Sequence, residues 1–589
     1  MSQLQYTRKY RSLLAHIAYR SAASLSRLTP SFPNFTPIFS AICGYNRTIN
    51  NRKDFSPMNE FYIKNVKIID GSGAPAFYGN VHVIDGKLYL TEAVPAGNAT
   101  KAVIDGTGLT LCPGFIDSHA HSDLCIGANP EIAYIGKISQ GVTTEVCGQC
   151  GFSLFPVSRT DFAVSAEVLG GFISERIRSV LPRFVSMEAF ESYAKKAAKV
   201  TNYAFLAGHC MLRSAVMGVA DRKPTADEFK EMKQLLKEAM EHGARGMSSG
   251  LVYIPGAYCD QNELIELCKV MAPYGGIYAT HMRNEADDSI KSVAASIEVA
   301  RQSGVPLVIS HHKICGKKNW GLSAKTLKLI ENARKEGISV HLDMYPYHAT
   351  MTNLDNCIPP HYFSEGNAHL ATLLSDPVSR AKIRKEMQID PASYDNPYLN
   401  TGGFHKILIS SAPSTPDAVG KTVQEYADLV GKNAFDTYFD LLLENNFACM
   451  ASYFSLSEED MLAIYRSPYA MIGSDTICSE VKGPAHPRAY GSFIKPLADF
   501  ALRRQLISLE EAVHKQTGLT ASVWKLEKKG LIRDGYDADL VLLDETRLQD
   551  MADFEDGTRI AQGIVGVYVG GELVYDGNRI TDARPGRCL

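Results

Sequence analysis

CPGFIDSHAHSD, residues 112–123, carries the first decision about this chain. Phe115 and Ile116 form an apolar lead-in to His119 and His121, which stand two residues apart. On an extended strand, residues i and i+2 point to the same side. The apolar lead-in makes that side the interior, so the two imidazoles face inward together. Two neutral imidazoles in such a place are a ready pair of zinc ligands. The plain alternative is two polar residues at a strand end.

Working outward, the same pattern recurs. YAFLAGH (203–209), GGIYATHMRNE (275–285), VPLVISHHK (305–313), ISVHLDMYPY (338–347) and YAMIGSD (469–475) are short β-rich runs that end in polar loops. Helical periodicity fills most of the gaps, as in EFKEMKQLLKEAMEHG (228–243), which stops at a glycine. Repeated strand–helix units over some 400 residues predict an α/β fold with a parallel sheet closed into a (β/α)8, TIM-like barrel. Flanking it, FYIKNVKIIDGSG (61–73), GNVHVIDGKLYL (79–90), ADLVLLD (538–544) and IVGVYVGGELVYDG (564–577) read as short antiparallel strands. They predict a small β-domain built from both chain ends. The expected boundaries are 58–112 and 521–589 for the β-domain and 113–520 for the barrel, with an inserted lid near 353–407 and helices around Leu370–Met387.

Further chemistry-bearing residues fall at the ends of predicted strands, where barrel enzymes keep their chemistry. These are His281, His311 with His312, and Asp475. Adjacent residues on a strand face opposite ways, so only one of His311 and His312 points inward. EVCGQCGFS (145–153) adds a Cys-x-x-Cys. No second such pair exists for a four-thiolate zinc site, and a thioredoxin-like context is missing. One thiolate joining the histidines fits better, because it adds a negative ligand against a divalent cation.

The composition agrees with a globular protein: 589 residues, 45% apolar, 21% charged and a net charge of −3. That balance exerts no strong pull on nucleic acid or an anionic membrane. No apolar run approaches the ~18 residues of a membrane span. The 13 cysteines read as reduced thiols, which predicts an intracellular, cytoplasmic protein. Residues 1–53 hold no acid and eight Arg or Lys, and the stretch is rich in Ser and Thr. Residues 1–57 therefore read as an extension with three interpretations: an organelle transit peptide, which would make the protein mitochondrial, a disordered tail, or sequence upstream of a start at Met58.

In order, GFIDSHAHSD, GQCGFS, THMRNE, SHHK, DMYPY, IGSD and HPRAYGSF resemble the motifs of the D-aminoacylase (N-acyl-D-amino-acid deacylase) family of the amidohydrolase superfamily. The resemblance covers roughly residues 60–580. It implies zinc. His119, His121 and Asp475 would form one metal position, and Cys150, His281 and His311 a second that holds its zinc more tightly. Cys150 matches the family's ligand because GFS follows it; Cys147 does not. His311 is preferred over His312 as the first histidine of SHHK. Many amidohydrolases bridge two metals with a carboxylated lysine on strand four, but GARGMSSGLVYIPGAY (243–258) contains no lysine. Its absence supports the cysteine-containing subclass.

The implied activity is hydrolysis of the amide of an N-acyl-D-amino acid, a small-molecule substrate, to a D-amino acid and a carboxylate. Asp475 is expected to take the water proton and pass it to the leaving amine. Lys313, Arg488, Tyr253 and Tyr345 are expected to meet the substrate's carboxylate. Two departures from the family pattern, Cys210 in AGHCMLR and TMTNL after DMYPYHA, are expected to line the pocket. The competing readings are a cyclic amidase resembling dihydropyrimidinase or dihydroorotase, and a non-catalytic scaffold on the same fold. The first largely uses the missing lysine. The second would have lost ligands that are all present here. Side-chain preference and oligomeric state stay open at this level.

Overall fold

A computed structural model describes residues 60–92, 102–129, 133–477 and 485–589. The N-terminal readings, transit peptide included, lie outside the described residues.

Both ends of the described chain meet in one eight-stranded sheet. Its N-terminal strands include Glu60–Ile68, Phe77–Ile84 and Thr110–Pro113, and its C-terminal strands are Leu540–Leu543, Ile564–Val569 and Glu572–Tyr575. The seam is the antiparallel pairing of Thr110–Pro113 with Leu540–Leu543, which sets Cys112 opposite Val541. Alternation drives it: Phe61, Ile63, Leu540 and Leu542 share one apolar core beneath the sheet. The sheet is mixed rather than wholly antiparallel. Phe61–Lys64 runs parallel to Ala102–Asp105, and Lys67–Ile68 parallel to Thr110–Leu111. A register break between Ile63 and Val66, with Asn65 in the left-handed region, bends the first strand so that it can serve both partners.

The expected strand–helix units are present as parallel strands in two sheets. One holds Phe115–Asp117, Val142–Cys147 and Asn202–Phe205. The other runs in chain order through Ala207–Gly208, Gly246–Gly250, Ile277–His281, Leu307–Ile309, Val340–Met344 and Ala470–Ile472. Only Leu206 separates the last strand of the first sheet from the first strand of the second. At the other edge, Ser118 N donates to Ile472 O at 3.1 Å and Asp475 N to His119 O at 2.8 Å. Residues buried on both faces explain why these strands read as unbroken apolar or small runs. Ile116, Val146, Ala279, Val308 and Met471, from strands of both sheets, pack with Leu206 and Trp524 in one cluster. Trp524 is fully buried and donates from Nε1 to Ser118 Oγ at 2.9 Å, directly behind His119 in sequence.

Helices follow the strands as the periodicity dictates. Ala226–Glu241 starts in a capping box between Thr225 and Glu228 and stops before Gly243, whose φ of 89° only glycine adopts readily. A third, antiparallel sheet joins Thr350–Asn353, Met450–Tyr453 and Ile407–Ser411. The helices expected around Leu370–Met387 are Asn367–Ser375 and Pro377–Met387, divided at Asp376 with Pro377 in the first turn of the second. Leu370, Ile383 and Met387 share a core with Tyr438, Ile407 and Tyr453, apart from that of the parallel strands. Among the described residues no helix is long and apolar enough to cross a membrane.

Candidate metal centre

The six proposed ligands come from the ends of five strands, or just beyond them, and converge on one point. His119 lies just beyond Phe115–Asp117, and His281 closes Ile277–His281. Cys150 follows Val142–Cys147, His311 follows Leu307–Ile309, and Asp475 follows Ala470–Ile472. The Cys150 Sγ is the hub: it lies 3.2 Å from His119 Nε2, 3.3 Å from His311 Nε2 and 3.9 Å from His281 Nδ1. Asp475 Oδ1 lies 3.3 Å from His121 Nε2 and 3.4 Å from His119 Nε2. His119, His121, Cys150 and Asp475 form one group whose ligand atoms all fall within 4.8 Å of one another; Cys150, His281 and His311 form a second.

Three of these residues sit in backbone conformations that L side chains avoid. Cys150 has φ 54°, His311 φ 35° and Asp475 φ 52°. Each marks the point where the chain leaves its strand and turns a side chain back toward the shared centre. Such strain persists where surrounding structure over-determines it, and it gathers at functional sites.

The donor set fits a cation. Burial holds His281 and His311 well below the usual imidazole range, and Lys313 adds to that effect on His311, so both rings are neutral with a free lone pair. Burial also lowers His121. His119 moves the other way: burial opposes protonation, but the carboxylates of Asp343, Asp475 and Asp117 together outweigh that cost. Burial, with Asp475 adding to it, pushes the Cys150 thiol far above its usual range. A buried thiol surrounded by acceptors gives up its proton only to a strong local positive charge, which a divalent metal supplies.

A ring of groups the sequence reading did not single out holds these ligands. Asp343 Oδ1 accepts from His311 N at 2.6 Å and lies 3.3 Å from His119 Nδ1. Glu285 Oε1 lies 3.2 Å from His311 Nδ1, and its Oε2 3.6 Å from His281 Nε2. Carboxylates behind ligand imidazoles fix the ring and raise its basicity. Both acids sit inside quoted motifs, Glu285 in THMRNE and Asp343 in DMYPY. The available signal was the i+4 spacing of Glu285 from His281. His312 turns away, its Nε2 2.9 Å from Thr326 Oγ1.

The expected carboxylate-binding residues surround the cluster. Arg488 donates from Nη1 to Asp475 Oδ2 at 2.6 Å and from Nη2 to Met351 O at 3.2 Å. Lys313 is buried rather than placed at an open mouth, and its Nζ contacts both Glu285 oxygens at 2.7 Å and His311 Nδ1 at 2.6 Å. Tyr345 is buried with no hydrogen-bond partner on its hydroxyl, and the Arg488 guanidinium sits 5.1 Å from its ring. The Tyr253 hydroxyl pairs with Thr352 Oγ1 at 3.2 Å, and its ring lies 5.0 Å from that of His281. A cavity of about 1100 Å³ opens beside the cluster, lined in part by His281, His311, Lys313, Tyr253, Tyr345 and Asp475. Thr350–Asn353 lines it as expected. Cys210 is instead fully buried, with its Sγ 3.8 Å from Gly250 O.

A further triad, His209, Cys259 and Glu263, also has metal-like spacing. Cations already occupy it: Arg213 Nη1 lies 2.6 Å from Glu263, and Arg283 Nη2 3.7 Å from Cys259 Sγ. That arrangement is a buried ion-pair network rather than a metal centre.

Comparison with known proteins places this geometry in context. The model of the Amidohydrolase family matches residues 102–439 and 466–575. An N-acyl-D-aspartate deacylase of Alcaligenes xylosoxydans xylosoxydans is 32% identical over 538 residues, 90% of this chain and 95% of the relative. A structure of D-aminoacylase, an enzyme whose binuclear metal centre shows one-metal activation and second-metal attenuation, is 33% identical with a TM-score of 0.73, covering 90% of this chain and 100% of that one. The N-acyl-D-glutamate deacylase of Bordetella bronchiseptica, solved with zinc and a phosphonate mimic of the tetrahedral intermediate, is 30% identical with a TM-score of 0.74, covering 90% and 99%.

Proposed function

The chain belongs to the amidohydrolase family, and on that footing we propose that it is a zinc-dependent hydrolase of N-acyl-D-amino acids, releasing a free D-amino acid and a carboxylate. One observation carries the reading: a buried cysteine sulfur at the hub of three imidazoles, with no lysine on the strand Gly246–Gly250. We read the two parallel sheets, continuous at Leu206 and hydrogen-bonded at Ser118–Ile472, as a (β/α)8 barrel over 113–520. The mixed sheet is its β-domain, from 58–112 and 521–589. The segment that begins near 353 is a lid beside the cavity.

In this reading Cys150, His281 and His311 would hold one zinc tightly, and His119, His121 and Asp475 would offer a second position. Zinc there would lower the pKa of a bound water toward ~7 and polarise the acyl carbonyl. The Asp475 carboxylate then takes the water proton and delivers it to the leaving nitrogen, since an unprotonated amide nitrogen leaves poorly. Burial opposes its charge, but Arg488 and the neighbouring imidazoles keep it ionised. Arg488 and Lys313, with the hydroxyls of Tyr345 and Tyr253, bind the carboxylate next to the scissile amide. The partnerless Tyr345 hydroxyl supports this role.

The test is a panel of N-acyl-D- and N-acyl-L-amino acids, with zinc quantified in the same sample and hydantoin and dihydrouracil alongside. Turnover of the D-acids alone is expected. Opening of the cyclic amides with no turnover of any acyl-D-amino acid overturns the reading.

A further inference from the structure

Every substrate of a D-amino-acid deacylase carries one carboxylate beside the amide. D-Asp and D-Glu derivatives carry a second, which must leave water to enter the cavity. Whether the wall can receive that second charge is a question about unengaged cations.

Among the described residues, the cations that line the cavity are Arg178, Arg283, Lys291 and Lys313. Each is engaged. Arg178 donates to Gly170 O at 3.1 Å and lies 3.5 Å from Glu175. Arg283 spends its two terminal nitrogens on Ala257 O at 2.6 Å and Cys259 O at 2.7 Å. Lys291 pairs with Asp288 at 2.7 Å, and Lys313 with both oxygens of Glu285. Arg488, reaching in beside Asp475, is a further cation near the cluster, and the first carboxylate already needs it and Lys313.

The wall's own charge points the same way. Its carboxylates outnumber its cations, seven to four among the described residues. Asp355 is one of them. It is 9% exposed and makes no ion pair, and burial lifts it to about 7. Next to the cluster an apolar patch lines the cavity: the Tyr253 ring lies 5.0 Å from that of Phe152, and Leu251 and Met351 line the same space.

We propose, resting on the deacylase reading above, that this cavity selects N-acyl-D-amino acids with neutral, apolar side chains and rejects the D-Asp and D-Glu derivatives. An unpaired carboxylate transferred into such a wall loses its hydration and gains no partner. An apolar side chain gains by leaving water. Similarity does not decide the matter, because relatives named for D-aspartate, for D-glutamate and for D-amino acids in general all stand at 30–33% identity.

The experiment uses the zinc-loaded full chain and matched pairs that differ in charge but not in size: N-acetyl-D-Gln against D-Glu, and N-acetyl-D-Asn against D-Asp, with N-acetyl-D-Met as the apolar member. We expect kcat/KM for each amide to exceed its acid by about 10² or more, with D-Met the best of the five. An acid equal to or better than its amide partner overturns the inference and leaves the deacylase reading intact. No turnover of any of the five overturns the deacylase reading itself, and the inference with it.

Discussion

Arg488 and Asp475 form a buried ion pair, Nη1 to Oδ2 at 2.6 Å, between a residue proposed to bind substrate and one proposed to move the proton. The pairing couples two tasks. Burial pushes Asp475 toward protonation, and Arg488 is the first of the groups that reverse this, holding it well below the usual carboxylate range. Its charge is therefore kept above the ordinary carboxylate pKa of ~3.9 and lost only as pH falls through its lower folded value. Arg488→Met leaves the burial effect less opposed. The acid limb of the pH–kcat/KM profile should then move to higher pH, alongside a sharp rise in KM. An unmoved acid limb would separate the two residues.

Asp475→Ala should fold and lower kcat by at least ~10², because among the described residues no other acid stands at the end of the strand Ala470–Ile472. Circular dichroism with single-turnover rates checks both halves. Hydrolysis near the wild-type rate would assign the proton to another group.

The two cysteines of the Cys-x-x-Cys should separate cleanly. Cys150 Sγ touches three imidazoles, whereas Cys147 belongs to the strand Val142–Cys147 and to none of the metal-like groups. Cys150→Ala should remove most bound zinc and activity, and Cys147→Ala should keep both. Zinc content by atomic spectroscopy decides it, and equal loss from the two variants would reverse the assignment.

Lys313→Met tests a consequence of burial. Glu285 would lose the Lys313 cation, and removing one partner of a buried pair costs about 3–5 kcal/mol. A lower melting temperature is expected together with a raised KM. Adding Glu285→Gln should recover much of the stability and none of the KM, which a double-mutant cycle measures.

Gly473→Ala probes the tightness of the centre. A Cβ there would come within 2.5 Å of His119 Cβ and 3.1 Å of its backbone nitrogen. His119 must shift, so metal affinity at the second position, that of His119, His121 and Asp475, should fall by at least ~10-fold while far-UV dichroism stays unchanged. Unaltered zinc binding would mean that His119 is not held where its role requires.

Much of this centre was legible because ligands at strand ends leave a local mark: two histidines at i and i+2, or a histidine after an apolar run. The choice of Cys150 over Cys147, and of His311 over His312, came from resemblance rather than periodicity. The geometry that accompanies each choice is a left-handed turn, and φ leaves no trace in residue type when the residue is not glycine. Asp343 touches ligands from other strands, and Glu285 does so at His311; such contacts depend on packing, so only the i+4 spacing of Glu285 from His281 marks either acid in the sequence. Lys313 follows the SHH ligand pair, and nothing in that local pattern foretells its burial. Its carboxylate partner lies 28 residues away. The parallel pairings within the mixed sheet escaped for the same reason, since a bulge at Asn65 decides which neighbour each half of one strand takes.

The left-handed turns at Cys150, His311 and Asp475 also bear on how the lineage can drift. Glycine would take each conformation without strain, relieving about 1 kcal/mol or more apiece. At these three positions random substitution can therefore trade chemistry for robustness. A descendant freed from the need to hydrolyse would meet that relief at Cys150 and His311, whereas at Asp475 the same change would strand the buried Arg488.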